Sequence, residues 1–68
     1  MKPFELRLAQ EHARVAAHLR NLRSFINSPE RFNRLPEQQR ILMIEQAEVM
    51  TRYVELLERR LTLLNIPV

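Results

Sequence analysis

The chain has 68 residues, no cysteine, no glycine and a net charge of +3. It is therefore one domain at most, it holds no disulfide, and without glycine it lacks the phosphate loops and dinucleotide-binding fingerprints of many nucleotide enzymes. A core of this size supplies little net stability, and small proteins usually gain the rest from disulfides, a metal or a partner chain. We expect a partner chain to supply it here.

The first predicted helix covers residues 4–27. Apolar residues recur along it at alternating steps of four and three, which places them on one helix face. This series is Leu8, Val15, Leu19, Leu22 and Ile26, with His12 inside it. Beside it runs a row of mostly small residues, which would let another helix approach closely: Leu6, Ala9, Ala13 and Ala16. The pattern predicts a long amphipathic helix with one buried face.

A short helical turn is predicted over residues 28–34. Ser28 is expected to cap it, Pro29 suits the first helical position, and Glu30 favours the positive end of a helix. The connection is short, so the two long helices are predicted to lie antiparallel.

The second long helix is predicted over residues 36–64, with Asn65 in a left-handed cap before Pro67. It carries two adjacent apolar seams. The inner seam is Met43, Ala47, Met50, Val54, Leu57, Leu61 and Leu64. The outer seam is Leu42, Gln46, Val49, Tyr53, Leu56, Arg60 and Leu63. One facing helix covers about one seam, so the outer seam is predicted to contact another copy of the chain.

The predicted fold is therefore all-α, a single domain over residues 1–68. Two long antiparallel helices form a hairpin that self-associates into a helical bundle. The residues predicted at the oligomer interface are Leu42, Val49, Leu56 and Leu63.

The residue types argue against an enzyme. There is no aspartate, so a Ser-His-Asp triad is impossible. The glutamate pairs, such as Glu45 with Glu48, are interpreted as solvated side chains close to arginines. His12 and His18 are six residues apart and do not share a helix face, so no metal pair is expected. We predict no catalytic residue, no metal and no cofactor.

Five polar residues are predicted to meet near the chain ends, and we call them the terminal cluster: Arg7, Glu11, His12, Tyr53 and Arg60. One interpretation is a ligand-binding pocket between subunits, with the tyrosine stacked on a base and the arginines on phosphate. The other is a salt-bridge network that fixes the register of the oligomer. The residues alone favour the structural network, because such networks also collect ionisable groups.

A second candidate site is the arginine tip, at the turn between the long helices. It comprises Arg20, Arg23, Arg31, Arg34 and Arg40. The first four are the second choice for phosphate binding, since helix N-termini near them also attract anions. The alternative is an exposed turn that simply carries charge.

The chain resembles a family of small helical-hairpin bacteriophage accessory proteins, relatives of an uncharacterised protein of crass-like phages. The resemblance rests on "F-x-x-R" from Phe4 to Arg7, on "L-x-x-L-x-x-F-I-x-S" from Leu19 to Ser28, and on "M-x-x-Y-x-x-x-L-x-x-R" from Met50 to Arg60. By architecture and size it is also similar to phage sponge proteins that sequester nucleotide signals of bacterial immunity.

The resemblance implies a non-enzymatic anti-defence protein that holds a phosphate-bearing nucleotide between subunits. The alternatives are a module that inhibits a host defence or replication protein, and weak nucleic-acid binding through the arginine tip. The expected partners are other copies of the chain, a small nucleotide and a host protein, with nucleic acid least favoured. No apolar run is long enough for a membrane span, so the expected location is the host cytoplasm.

Overall fold

Three helices make up the protein in a computed structural model that describes residues 1–68. They are α1, Pro3–Ile26; α2, Pro29–Phe32; and α3, Glu37–Leu63. The two long helices pack along each other as a hairpin, and α2 lies at the turn. The predicted all-α hairpin is confirmed. The long helices lie within one residue of their predicted bounds, whereas the central helix is only four residues long.

The helix ends follow the predicted signals in part. Asn65 has a φ of 59°, the left-handed cap that was predicted. This reversal lets the Ile66 N–H donate to the Leu61 carbonyl at 2.9 Å, and Ile66 packs against the core. The predicted cap at Ser28 is wrong, because its hydroxyl makes no cap bond to α2. That hydroxyl accepts a hydrogen bond from Arg31 Nε at 3.3 Å instead.

The core is small and consists of leucines and one valine from the two facing helices. The buried side chains are Leu8, Val15, Leu19, Leu57 and Leu61. Leu57 and Leu61 are the most deeply buried, with 2% and 1% of their surface exposed. All five belong to the predicted apolar series of α1 or to the inner seam of α3. A core of so few side chains leaves little stability in reserve.

The outer seam lies outside this core along its whole length. All seven of its residues are exposed in the single chain. The exposed fraction is 65% at Val49 and 84% at Leu63. One facing helix thus covers the inner seam and leaves the outer seam open. Packing of the outer seam against another copy stays a prediction.

None of the helices combines the length and the apolar character that crossing a bilayer requires.

Candidate functional site

The centre of the terminal cluster is a hydrogen bond between the two long helices. The Tyr53 hydroxyl on α3 donates to Glu11 Oε2 on α1 at 3.1 Å. The other carboxylate oxygen of Glu11 accepts from Arg14 Nε at 2.8 Å, and the same guanidinium forms an ion pair with it at 2.6 Å. Arg14 was not among the predicted site residues, although its spacing of three from Glu11 is a known signal for such a pair. The Glu11 carboxylate is therefore held in place by Arg14 through one oxygen and orients the Tyr53 hydroxyl through the other.

These contacts lower the pKa of Glu11 and raise the pKa of Tyr53. The hydrogen bond from Arg14, and next the one from Tyr53, hold the pKa of the Glu11 carboxyl below its ordinary value. The hydrogen bond to Glu11 raises the pKa of the Tyr53 hydroxyl. The positive charges of Arg14 and Arg60 act weakly on the Tyr53 pKa in the opposite, lowering direction. At neutral pH the pair is a charged acceptor with a neutral donor.

The Tyr53 shift gives a direct spectroscopic prediction. Tyr53 is the single tyrosine and there is no tryptophan, so a near-ultraviolet titration of tyrosinate reports this group alone. Glu11→Gln should lower the Tyr53 pKa towards its ordinary value, because the negative acceptor is gone. Glu5→Gln, on the same helix, is the matched control and should leave the titration unchanged. The same curve for Glu11→Gln and wild type would contradict the hydrogen bond.

The lowered pKa of Glu11 and the raised pKa of Tyr53 determine how the stability of the protein depends on pH. The pair's contribution is present at neutral pH. It is lost as the pH rises through the raised pKa of Tyr53, and again as the pH falls through the lowered pKa of Glu11.

His12 belongs to a separate contact and does not join Tyr53. Its Nε2 lies 3.0 Å from Glu58 Oε2 on α3. The histidine side chain is 17% exposed and that of the glutamate is 42% exposed. Successive residues on an α-helix are rotated by about 100°, so Glu11 and His12 meet different residues of α3. His12 therefore makes its polar contact with Glu58 and not with Tyr53, and Glu58 is a contact residue that sequence reasoning missed.

The two arginines of the terminal cluster have no partner within the chain. Arg7 and Arg60 are exposed and make neither an ion pair nor a side-chain hydrogen bond. Arg60 interrupts the otherwise largely apolar outer seam. In the single chain it is open to water, so any desolvation would come from a partner on the outer seam. Arg60 lies seven residues after Tyr53 on α3, so one face of this helix presents an aromatic ring and an unpaired guanidinium about 10 Å apart along the helix axis.

The arginine tip does not form one pocket. Arg23 donates to the Thr51 hydroxyl on α3, which in turn donates to the Ala47 carbonyl at 2.8 Å. The Arg31 guanidinium lies 5.1 Å from the centre of the Phe25 ring. Two of the predicted phosphate ligands therefore already have separate partners. None of the ion pairs in the chain involves an arginine of the tip, so their positive charges are not neutralised by carboxylates.

A shallow cleft of about 320 Å³ lies between α1 and α3 near the tip. Its polar lining includes Arg23 and Glu48, which carry opposite charges, and the Thr51 hydroxyl. No signal in the sequence indicated this cleft. Elsewhere, no three side chains of the His, Cys, Asp or Glu types come together in a way that could hold a metal ion.

The family model called Sequestin matches residues 2–63. The chain belongs to the Sequestin family. The matched range includes all three helices, and so it contains the whole terminal cluster and the whole outer seam. No curated protein and no solved structure matched the chain.

Proposed function

We propose that this protein is a non-enzymatic phage anti-defence protein that sequesters a phosphate-bearing nucleotide signal in the host cytoplasm. It acts as an oligomer and holds the ligand between subunits. The family name refers to sequestration, which supports the general activity. The nucleotide, the oligomer and the phage setting are our inference.

The observation that carries the proposal is that the exposed Tyr53 ring and the unpaired Arg60 lie seven residues, or about two helix turns, apart on the same face of α3. A nucleotide needs an aromatic face for its base and a positive donor for its phosphate. The Glu11 carboxylate fixes the phenol through the 3.1 Å hydrogen bond, so the ring is oriented before a ligand arrives. Packing of a second copy on the outer seam would remove water from this surface and strengthen its contacts with phosphate.

The test is ligand-dependent thermal stability. A nucleotide present at one hundred times its Kd should stabilise the folded protein by about 2.7 kcal/mol. The panel comprises cyclic nucleotides and nucleotides of the ADP-ribose type. Arg60→Met keeps most of the apolar stem, so it should spare the fold and lose this stabilisation. Tyr53→Ala should weaken binding about tenfold or more if the ring stacks on a base.

Arg52→Met is the matched control, since it removes the same charge from an exposed position of α3 that belongs to neither candidate site. It should keep the full ligand-induced shift of the melting temperature. If no nucleotide of the panel raises the wild-type melting temperature, nucleotide sequestration is rejected for these ligands.

The exposed outer seam favours a second candidate function, in which the protein inhibits a host defence or replication protein by covering one of its surfaces. A purified complex with a defined ratio of the two chains, formed without nucleotide, would favour this function. The unneutralised arginines of the tip would favour nucleic-acid binding only if DNA bound in a strongly salt-dependent way.

A further inference from the structure

The outer seam has nearly the same character when read in either direction from Tyr53. Gln46 lies seven residues before Tyr53 and Arg60 seven residues after it, and these two are the polar members that flank the centre. The other members form apolar pairs whose distances from Tyr53 differ by one residue. Val49 lies four residues before Tyr53 and Leu56 three after it, and Leu42 lies eleven before and Leu63 ten after. A row of this kind is self-complementary when two copies run in opposite directions.

We propose that the outer seam binds a second copy of this chain, with the two α3 helices antiparallel and the two-fold axis beside Tyr53. A two-fold interface uses the same patch on both subunits, so each contact occurs twice. Gln46 then stands opposite Arg60 of the second copy, and its amide oxygen accepts from one N–H of the guanidinium. The other N–H donors of that guanidinium stay available to a phosphate. Val49 stands opposite Leu56 in the same way. Every polar group of the seam gains a partner while the apolar groups leave water.

The charged residues beside the outer seam also favour the antiparallel arrangement of the two α3 helices. Glu45 and Arg59 lie on one flank of the outer seam, one before Tyr53 and one after it. Neither forms an ion pair within its own chain. In an antiparallel pair each flank faces the same flank of the other helix, so Glu45 faces Arg59 of the second copy. Flanking charges of this kind set the partner and orientation of paired helices.

A parallel pair fits poorly. Each seam residue would then meet its own equivalent, and two Arg60 guanidinium groups would be brought together in a desolvated seam. Like charges in such an interface are strongly disfavoured. The pattern of Gln46 and Arg60 therefore selects the antiparallel arrangement.

The inference rests on the oligomer of the proposed function and defines its geometry. Because Tyr53 is next to the axis, the Glu11–Tyr53 hydrogen bonds of both copies lie close to each other. The ligand surface is then completed by the second copy, which adds its own tyrosine and arginine.

The experiment uses engineered disulfides, which are easy to interpret because the chain has no cysteine. Val49→Cys and Leu56→Cys are purified separately, then mixed, unfolded and refolded together under oxidising conditions. The mixture should give a disulfide-linked pair that contains one chain of each variant. Neither variant alone should crosslink, because equivalent positions are about seven residues or roughly 10 Å apart along the axis. A disulfide needs Cα atoms within about 7 Å of each other.

Glu30→Cys, at the hairpin tip, gives the background from random collisions. Crosslinking of Val49→Cys with itself above this background would mean a parallel pair and overturn the proposal. The proposal would also be overturned if the mixture of Val49→Cys and Leu56→Cys crosslinked no more than this background while circular dichroism showed folded helices. No nucleotide is present in these reactions. Retained nucleotide binding without the mixed disulfide would therefore reject this geometry and leave the proposed function standing.

A charge-reversal pair tests the same geometry without cysteine. Glu45→Arg should weaken the dimer several-fold in sedimentation equilibrium, because two arginines then face each other. Adding Arg59→Glu to the same chain should restore the wild-type dissociation constant. A double variant as weak as the single variant would overturn the Glu45–Arg59 contact and the register it defines.

Discussion

Leu61→Ala is expected to leave most of the protein unfolded at room temperature. Leu61 is 1% exposed and lies in the cluster with Leu8, Val15 and Leu57. Truncation of such a leucine costs about 2–5 kcal/mol through lost burial and the remaining cavity. A chain of this size rarely has more than about 3–5 kcal/mol to lose. Circular dichroism during urea unfolding measures the effect, which should appear as the loss of the folded baseline.

Thr62→Ala is the control for this experiment. Thr62 is the next residue of α3 and is exposed, so the change should leave the free energy of unfolding unchanged or slightly raised. If Leu61→Ala unfolded at the same urea concentration as Thr62→Ala, the core would lie somewhere other than between the facing sides of α1 and α3.

Val49→Glu is expected to produce monomers while the hairpin core stays unchanged. Val49 is 65% exposed in the single chain, so the glutamate would stay in water on its own hairpin. In the proposed pair it would be buried twice without a positive partner, and such a charge is strongly destabilising. Light scattering should give a wild-type mass of at least twice 8.2 kDa and a much smaller mass for the variant.

Gln10→Glu adds the same charge to the exposed side of α1 and should keep the wild-type mass. A folded wild-type monomer at micromolar concentration would reject self-association. A Val49→Glu protein with unchanged mass would place the contact on some other surface.

Spacing alone was enough to predict the fold. The alternating steps of four and three marked the inner seam, and its most deeply buried members are Leu57 and Leu61. The reversal at Asn65 was also predictable, because few residue types tolerate a positive φ and Pro67 blocks further helix. The cap at Ser28 was not predictable in this way, because its hydroxyl can accept either from a backbone N–H of α2 or from the Arg31 side chain. In the structure it accepts from Arg31.

The candidate site was predicted less completely than the fold. Matching positions along the hairpin correctly placed Tyr53 at the level of Glu11. It did not give the direction of each side chain around the helix, and so it missed the contact between His12 and Glu58. The cleft near the tip was also beyond sequence reasoning, because it depends on how closely α1 and α3 approach there.

The outline of the hairpin has a consequence for hydrodynamic measurements. The chain extends 45 Å in one direction and 15 Å in each of the other two. A rod experiences more friction in solution than a sphere of equal mass, so a single chain should elute from a gel-filtration column ahead of globular standards of its size. Two such rods packed side by side form a rounder particle. Its Stokes radius therefore grows less than the doubling of mass suggests, and elution volume alone would make a dimer and a monomer look deceptively similar.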